Sequence, residues 1–213
     1  VLKIDRGNAP EARDLLLTAV QLNGKTTEDG WTYYLLGWAY EECGENEKAR
    51  EALEQAVVSF RQVLSLTPPE WYDDCLELLQ ANYEKRTRMF LVNQEYKAAI
   101  DFLAVALDFV PNYADGYVAL GYSYLMTGKD PVQAIEVLEE AHRLEEEPVD
   151  AGWSYYLLGW AYQENERYGS AVDALGKALR QSEETTLEGQ AVEWVSPCRA
   201  RLTESYEQLF ALF

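Results

Sequence analysis

The sequence is poor in the residues that carry most catalytic and metal chemistry. Its 213 residues include one histidine and three cysteines, so a histidine-rich metal site is excluded and the cysteines cannot all pair within the chain. It contains no glycine-rich phosphate loop, no HExxH zinc motif and no CxxC pair. The sequence therefore predicts a protein that is not an enzyme and that holds neither a cofactor nor a metal ion.

Basic residues and long apolar runs are also scarce. There are 18 Lys and Arg against 37 Asp and Glu, which makes the formal net charge −19. Such an excess of acid argues against binding to nucleic acid or to an anionic membrane, because both attract basic patches. No apolar run approaches the roughly 18 residues of a membrane-spanning helix, and no signal-like segment opens the chain. The compartment stays open, with the cytoplasm favoured.

What the sequence does contain is a long internal repeat. Residues 30–40 read GWTYYLLGWAY and residues 152–162 read GWSYYLLGWAY, at an offset of 122 positions. Farther along the chain the offset becomes 123. All six tryptophans fall into equivalent pairs, which are Trp31 with Trp153, Trp38 with Trp160, and Trp71 with Trp194. The chain is predicted to hold about 1.7 copies of a superrepeat of about 122 residues.

A shorter period of 34 residues runs inside each copy. The windows 30–63 and 152–185 have apolar or small residues at positions 4, 7, 8, 11, 20, 24 and 27. The window 114–147 follows the same pattern with one inserted residue before Ala134, and the window 80–113 departs from it at Arg86 and Thr87. This spacing predicts two amphipathic helices in each window. In three windows position 8 is a glycine, Gly37, Gly121 or Gly159, which lets the second helix approach closely. Neither helix can bury its apolar stripe alone, so neighbouring windows must stack.

The window pattern resembles the tetratricopeptide repeat family, most clearly at 30–63, 114–147 and 152–185. The resemblance implies an all-α, right-handed solenoid of antiparallel helix pairs, with residues 1–213 as a single domain. Its other parts would be a partial repeat at 1–29 and a C-terminal helix at 186–213. Both ends of the chain fall within or close to repeat helices, so we expect the chain to be an excerpt of a longer array.

The helices themselves follow from the periodicity of the apolar residues. The predicted helices span residues 9–22, 28–43, 46–66, 69–92, 95–109, 113–127, 131–145, 150–165, 168–183 and 189–213.

An aromatic stripe remains on the first helix of the window 30–63 after the core positions are assigned. Trp31, Tyr34 and Trp38 are spaced i, i+3, i+7 and so share one face. The family resemblance implies that first helices line a concave groove. The predicted partner-binding residues of that groove are Trp31, Tyr34, Trp38, Glu41, Glu42, Arg88, Tyr122, Trp153, Tyr156, Trp160 and Glu164.

The resemblance therefore implies a protein–protein interaction scaffold that binds a peptide or helix of a partner protein. Aromatic anchors would supply most of the affinity, and the acidic residues would favour partners that carry Lys or Arg beside apolar residues. Tyr34 and Trp38 stand where chaperone-binding relatives have the lysine and asparagine of a carboxylate clamp, which argues against capture of a terminal carboxylate. The alternatives are packing of these rings between repeats, a self-assembling structural spacer, and a regulatory arm of a larger protein.

The remaining reactive residues are interpreted as structural. Cys75 and Cys198 occupy equivalent places in the two copies, so we expect both to pack in the core without a disulfide between them. His142 is expected to be a surface histidine that is solvated or salt-bridged. The acidic run at 145–147 is expected to be a solvated helix end.

Overall fold

A computed structural model describes residues 7–23, 29–62, 68–128, 130–144, 151–185 and 193–211. Within these residues the chain is all-helical, as predicted, and it contains no β-strand. The helices are α1 (Ala9–Asn23), α2 (Asp29–Glu42), α3 (Asn46–Gln62), α4 (Trp71–Val92), α5 (Tyr96–Phe109), α6 (Ala114–Thr127), α7 (Pro131–Leu144), α8 (Ala151–Glu164), α9 (Tyr168–Thr185) and α10 (Val195–Ala211).

Each predicted helix is present, and most boundaries agree with the predicted ones to within two residues. The exception at an N-terminus is α10, which begins at Val195, six residues later than predicted. The acidic run at 145–147 and the chain ends at 1–6 and 212–213 lie outside the described residues. In the part of the chain that the structure describes, no helix has both the length and the apolar character needed to cross a lipid bilayer.

The chain forms two compact units. The first holds the described residues up to Arg88 together with Asp108–Pro111, and the second holds Met89–Leu107 and the described residues from Asn112 onward. In the first unit α1 packs on α2 and α2 on α3; in the second, each helix from α6 to α10 packs on the next one in the chain. The consecutive pairing of helices that the repeat pattern predicts is therefore confirmed.

The second helices of the pairs bury the small and apolar stripes that the window positions identified. On α3, Ala49, Leu53 and Ala56 are 0% exposed. On α9, the three residues at the equivalent places are also 0% exposed, and they are Ala171, Leu175 and Ala178. Alanine at two of the three places lets the helices pack at short separation, while the leucine fills the space between them.

The turn between the two helices has the same backbone in every window. Gly44, Gln94, Gly128 and Glu166 all occupy window position 15, and their φ angles are 76°, 60°, 63° and 56°. A residue in the left-handed conformation lets the chain reverse direction after the first helix. At Gly128, the N–H of this residue donates a hydrogen bond to the carbonyl oxygen of Leu125 at 3.0 Å. Gln94 and Glu166 adopt this conformation although they are not glycine, so the packing of the helix pair imposes it on them.

The glycine at window position 8, present in three of the windows, marks a close approach of the two helices. A Cβ added at Gly37 would lie 2.6 Å from Cγ of Leu53, and one added at Gly159 would lie 2.5 Å from Cγ of Leu175. Both leucines are fully buried, so neither has free space to move into. The prediction that this glycine allows a close approach is confirmed.

The cysteines are structural residues. All three are free thiols, and Cys75 and Cys198 are both 0% exposed. Cys75 Sγ lies 3.9 Å from the carbonyl oxygen of Leu53, and Cys198 Sγ lies 3.6 Å from that of Leu175. Burial raises the pKa of Cys75 to about 12 and that of Cys198 to about 11. Thiols with such pKa values stay protonated at neutral pH and are poor nucleophiles.

His142 is not the solvated or salt-bridged surface residue that we expected. Its ring stacks on Tyr155 with centroids 4.1 Å apart and an interplanar angle of 17°. Its Nε2 lies 3.1 Å from Oγ of Ser154, which is fully buried on α8. The expectation was based on the sequence of α7 alone. It was wrong because α8 packs over the face of α7 that carries His142. Burial lowers the pKa of His142, and the positive charge of Lys177 adds to the effect.

Gly159→Ala should destabilise the second unit. Added helix propensity would stabilise α8 by up to about 1 kcal/mol, but a Cβ that overlaps the buried Leu175 costs typically about 1–3 kcal/mol. We expect a net loss of about 1–2 kcal/mol in the free energy of unfolding, measured by urea denaturation. The matched control is Gly176→Ala on α9, where the nearest atom is the flexible end of Arg180 at 3.5 Å. This change should stabilise the protein, and equal losses for both variants would contradict the close approach.

The chain has one histidine, so its titration can be followed as a single imidazole signal by NMR. Because the folded protein favours the neutral ring of His142, we expect a pKa below the ordinary value of about 6.5. The unfolded chain then takes up the proton first as the pH falls. Stability from this group is complete above about pH 6.5 and declines below it, until the folded-state pKa is passed. The His142→Gln variant should not show this decline in stability. A pKa of His142 at or above the ordinary value would contradict the burial of its ring.

Candidate functional site

Four aromatic rings form a continuous cluster in the first unit. Tyr34 on α2 stacks on Trp71 of α4, with centroids 5.9 Å apart and an interplanar angle of 21°. Trp31 lies 5.4 Å from Tyr34 and 6.2 Å from Trp71, and Trp38 lies 6.4 Å from Tyr34. Gly30 makes room for this arrangement, because a Cβ there would lie 3.0 Å from Cη2 of Trp71. We call these four residues the first aromatic cluster.

The second unit contains the same arrangement, the second aromatic cluster, built from Trp153, Tyr156, Trp160 and Trp194. Tyr156 stacks on Trp194 at 5.9 Å and 20°, and it lies 5.4 Å from Trp153 and 6.3 Å from Trp160. A Cβ added at Gly152 would lie 2.9 Å from Cζ2 of Trp194. The paired tryptophans of the sequence thus occupy matching contacts in the two units.

The rings of the two clusters differ in how much solvent they meet. Tyr34 and Tyr156 are only 8% and 6% exposed, because the tryptophan of the following first helix covers each of them. These two tyrosines are therefore packed between helices. Trp31 is 47% exposed and Trp38 is half-buried, so the tryptophans of α2 present most of the accessible aromatic surface.

A surface cavity of about 720 Å³ opens beside the first aromatic cluster. Its walls are aromatic and apolar and its rim is acidic, with lining residues Trp31, Tyr34, Leu35, Trp38, Glu70, Trp71 and Asp74. Glu70 and Asp74 are exposed, and neither is paired with a cation among the described residues. Burial raises the pKa of the Tyr34 phenol, and the negative charge of Asp74 raises it further.

Of the acidic residues predicted to face the groove in the first unit, Glu41 is already engaged. It is 11% exposed, it pairs with Lys85, and it accepts a hydrogen bond from Nδ2 of the buried Asn82 at 3.1 Å. Its neighbour Glu42 is half-buried. Glu41 therefore joins α2 to α4, and the exposed carboxylates next to the rings are those of Glu70 and Asp74.

The two predicted groove residues outside the duplicated helices lie in different surroundings. Arg88 is exposed on α4, and its Nη2 donates to Oε1 of Glu84 one turn away at 2.8 Å. Tyr122 on α6 packs edge-on between Tyr96 at 5.7 Å and Trp153 at 5.6 Å. Tyr122 thus extends the second aromatic cluster. Burial raises its pKa to about 12.

In the second cluster a cation lies on the outer tryptophan. The guanidinium carbon of Arg201 on α10 sits 4.3 Å from the ring centroid of Trp160. The same guanidinium donates to Oε1 of Gln163 at 2.8 Å and lies 3.5 Å from Oε1 of Glu164. Glu164 also accepts a hydrogen bond from Nε1 of Trp160 at 2.9 Å. On its other side, Trp160 lines a smaller cavity of about 390 Å³ with Tyr124 and Glu164.

The sequence profile of the tetratricopeptide repeat matches residues 32–62 and 154–185, which are the two helix pairs that carry the clusters. Two segments of the chain are therefore similar to the tetratricopeptide repeat. The match covers the helix pairs α2–α3 and α8–α9. No curated protein matches the chain significantly over its sequence.

Three solved structures are similar to the chain. The TPR2AB domain of yeast Sti1 in complex with pHSP90 is 14% identical, with a TM-score of 0.50, and the alignment covers 94% of this chain and 80% of that one. MamA is 24% identical with a TM-score of 0.46, over 87% of this chain and 99% of that one. The tetratricopeptide repeat domain of P58(IPK) is 15% identical with a TM-score of 0.49, over 96% and 52%. At 14% identity, the likeness to the Sti1 domain shows the fold alone.

The sequence analysis missed several residues that belong to the two sites. Trp71, Glu70 and Asp74 belong to the cavity, and Arg201 lies on Trp160. A signal was present, because Glu70-Trp71 recurs as Glu193-Trp194 at the offset of 123. That recurrence marks residues that contact the duplicated helix, but the periodicity of one helix does not show which neighbour covers it.

The chemistry available at these sites is that of binding. Among the described residues, no group of three His, Cys, Asp or Glu side chains is arranged to hold a metal ion. The aromatic faces offer dispersion and cation–π contacts, and the carboxylates offer charge.

The inner and outer tryptophans should respond differently to truncation. Trp194 is 9% exposed and stacks on Tyr156, so Trp194→Ala should lower the free energy of unfolding by about 3–5 kcal/mol. Trp31 is 47% exposed, so Trp31→Ala should cost less than half as much. Urea denaturation followed by circular dichroism measures both changes. A larger loss for Trp31→Ala would contradict the assignment of the outer rings to the surface.

Proposed function

We propose that the chain is a non-enzymatic scaffold that binds a peptide or a helix of a partner protein on its aromatic, acidic surfaces. The tetratricopeptide repeat fold is typical of protein–protein interaction scaffolds. The observation that carries the proposal is the cavity of about 720 Å³ beside the first aromatic cluster. Cavities of this size with mostly apolar walls and a few polar groups are the usual form of ligand sites.

The exposed tryptophans are the proposed anchors. A large aromatic side chain left half in water loses hydrophobic stabilisation, so a patch of such rings on a protein surface usually serves an interaction. Trp31 is 47% exposed although Tyr34 beside it is buried, so the fold leaves this ring accessible. Tryptophan is also the residue type that most often dominates the energy of a protein interface.

The charge of the surface defines the chemistry of the proposed partner. Glu70 and Asp74 border the cavity, and the net charge of the whole chain is −19. A basic, apolar-rich segment would be attracted over a distance and then anchored by the rings. The similar domain of yeast Sti1 is in complex with pHSP90, which supports partner binding by this fold. The identity of the two chains is only 14%, so the likeness does not carry that partner over to this chain.

Self-assembly is the alternative function, and one observation favours it. Tyr206 and Phe210 on α10 are 43% and 74% exposed, and their rings stack with centroids 6.4 Å apart. Two large aromatic side chains one turn apart make an apolar stripe that a second copy of the chain could cover. Partner binding and self-assembly use different residues, so substitutions separate them.

A peptide array of basic, apolar-rich sequences provides the test, and binding peptides are then titrated against the protein in solution. Trp31→Ala should weaken binding by about 2 kcal/mol or more, as for an interface hot spot. Leu15→Ala is the matched control, because it removes an exposed apolar side chain from the same unit but from α1, and it should leave the affinity unchanged. Binding should also weaken at high salt, because the rim charges are exposed.

Two outcomes would contradict the proposal. One is that no peptide binds the folded protein, and the other is that peptides bind Trp31→Ala as tightly as the wild type. Light scattering over a dilution series tests the alternative on the same samples. A mass that rises with concentration, and that returns to the monomer value in Phe210→Ser, would favour self-assembly instead.

A further inference from the structure

The two aromatic clusters have the same rings but different rims. The second cluster has Glu193, Pro197 and Arg201 along α10 and the segment before it. At the offset of 123, the first cluster has Glu70, Asp74 and Leu78 at these places. The first rim therefore has one more carboxylate and one fewer cation than the second rim. The charge of the rim thus distinguishes the two sites.

Arg201 shows which ligand this arrangement of rings accepts. Its guanidinium carbon lies 4.3 Å from the centroid of the Trp160 ring, so the cation rests on the face of the indole. The group also lies 3.5 Å from Oε1 of Glu164 and donates to Oε1 of Gln163. An indole face, a carboxylate and an amide oxygen together stabilise a planar cation that has several donors. The second cluster thus already contains its own arginine.

The first aromatic cluster has the equivalent tryptophan and nearby carboxylates, but no cation of the described residues lies on that tryptophan. Trp38 is the equivalent of Trp160, and among the described residues no Lys or Arg lies over its ring. Lys85 on the neighbouring helix α4 pairs with Glu41 instead. Leu78 of α4 occupies the position equivalent to Arg201 of α10, so α4 has no guanidinium at this position. Glu70 and Asp74 add negative charge beside the open rings.

We propose that the cavity of the first unit binds an arginine side chain of the partner, in the way that Arg201 binds Trp160. The inference rests on the proposed function and names the residue that the partner inserts. A guanidinium is favoured over an ammonium because it is planar, stacks on aromatic faces and is less strongly hydrated. Glu70 and Asp74 complement its charge, and Trp31, Tyr34 and Trp38 contact its apolar stem. The second unit does not compete, because Arg201 covers its outer ring.

The test uses four synthetic probes that differ at one position. They are acetylated and amidated pentapeptides, Ala-Leu-X-Leu-Ala, in which X is arginine, citrulline, lysine or leucine. Citrulline keeps the shape of arginine but carries no charge, so it isolates the cation. NMR titration of the full chain should show the largest shifts at the indole N–H signals of Trp31 and Trp38. The arginine probe should bind about tenfold more tightly than the citrulline probe, which corresponds to one strong cation–π contact.

Reciprocal substitutions then test the assignment of the site. Leu78→Arg gives the first cluster the cation that the second one has, and it should abolish binding of the arginine probe. Asp74→Asn removes one rim charge from an exposed side chain, so it should weaken binding severalfold without unfolding the chain. Arg201→Leu is the matched control, because it removes an arginine from the other cluster. It should leave the affinity of the first cavity unchanged.

The outcomes separate the inference from the proposed function. Equal affinity for the arginine and citrulline probes, while peptides from the array still depend on Trp31, would overturn the inference and leave the scaffold function standing. Tighter binding of the lysine or leucine probe would overturn it in the same way. Failure of every probe and every array peptide would remove both. Should Leu78→Arg fail to fold, Asp74→Asn and the citrulline probe still decide.

Discussion

The close approach of two helices at a glycine is the contact on which the rest of the structure depends. At Gly37, Gly121 and Gly159 a leucine of the second helix occupies the space that a side chain would need. Protein interiors are packed so densely that a single methyl group cannot be added there without displacement. This contact sets the separation of the helices in each pair. It also decides which face of the first helix is left for the next first helix.

A second glycine at the start of the same helix completes the arrangement. Gly30 and Gly152 lie under the indoles of Trp71 and Trp194, so each duplicated helix offers bare backbone to two neighbours. The indole in turn covers the tyrosine at the centre of the cluster and leaves the flanking tryptophans outside. The accessible aromatic surface is thus a consequence of core packing. Its ligand chemistry is set separately, by the charged residues that the following helix contributes.

The sequence predicted the helices well and the candidate site in part. Helices and their buried stripes follow from local periodicity, which is why Leu53 and Leu175 were assigned to the core correctly. The rings of α2 and α8 were recognised because they repeat on one helix face. Their covering residues were not, because Trp71 and Arg201 lie on other helices and no local pattern connects them to the stripe. His142 was misplaced for the same reason, since the residues that bury it are on α8.

The sequence by itself determined the repeat, the number and approximate positions of the described helices, and the equivalence of the six tryptophans. These properties are local or periodic, so the order of residues along the chain is sufficient to show them. Only the tertiary structure decided which aromatic rings are covered, which carboxylates are already paired and which cluster holds its own cation. The hydrogen bonds of Asn82 with Glu41 and of Gln163 with Glu204 each join residues 41 positions apart. Contacts over such separations are selected by the geometry of packed helices, because side chains distant in sequence meet only where the helix axes bring them together.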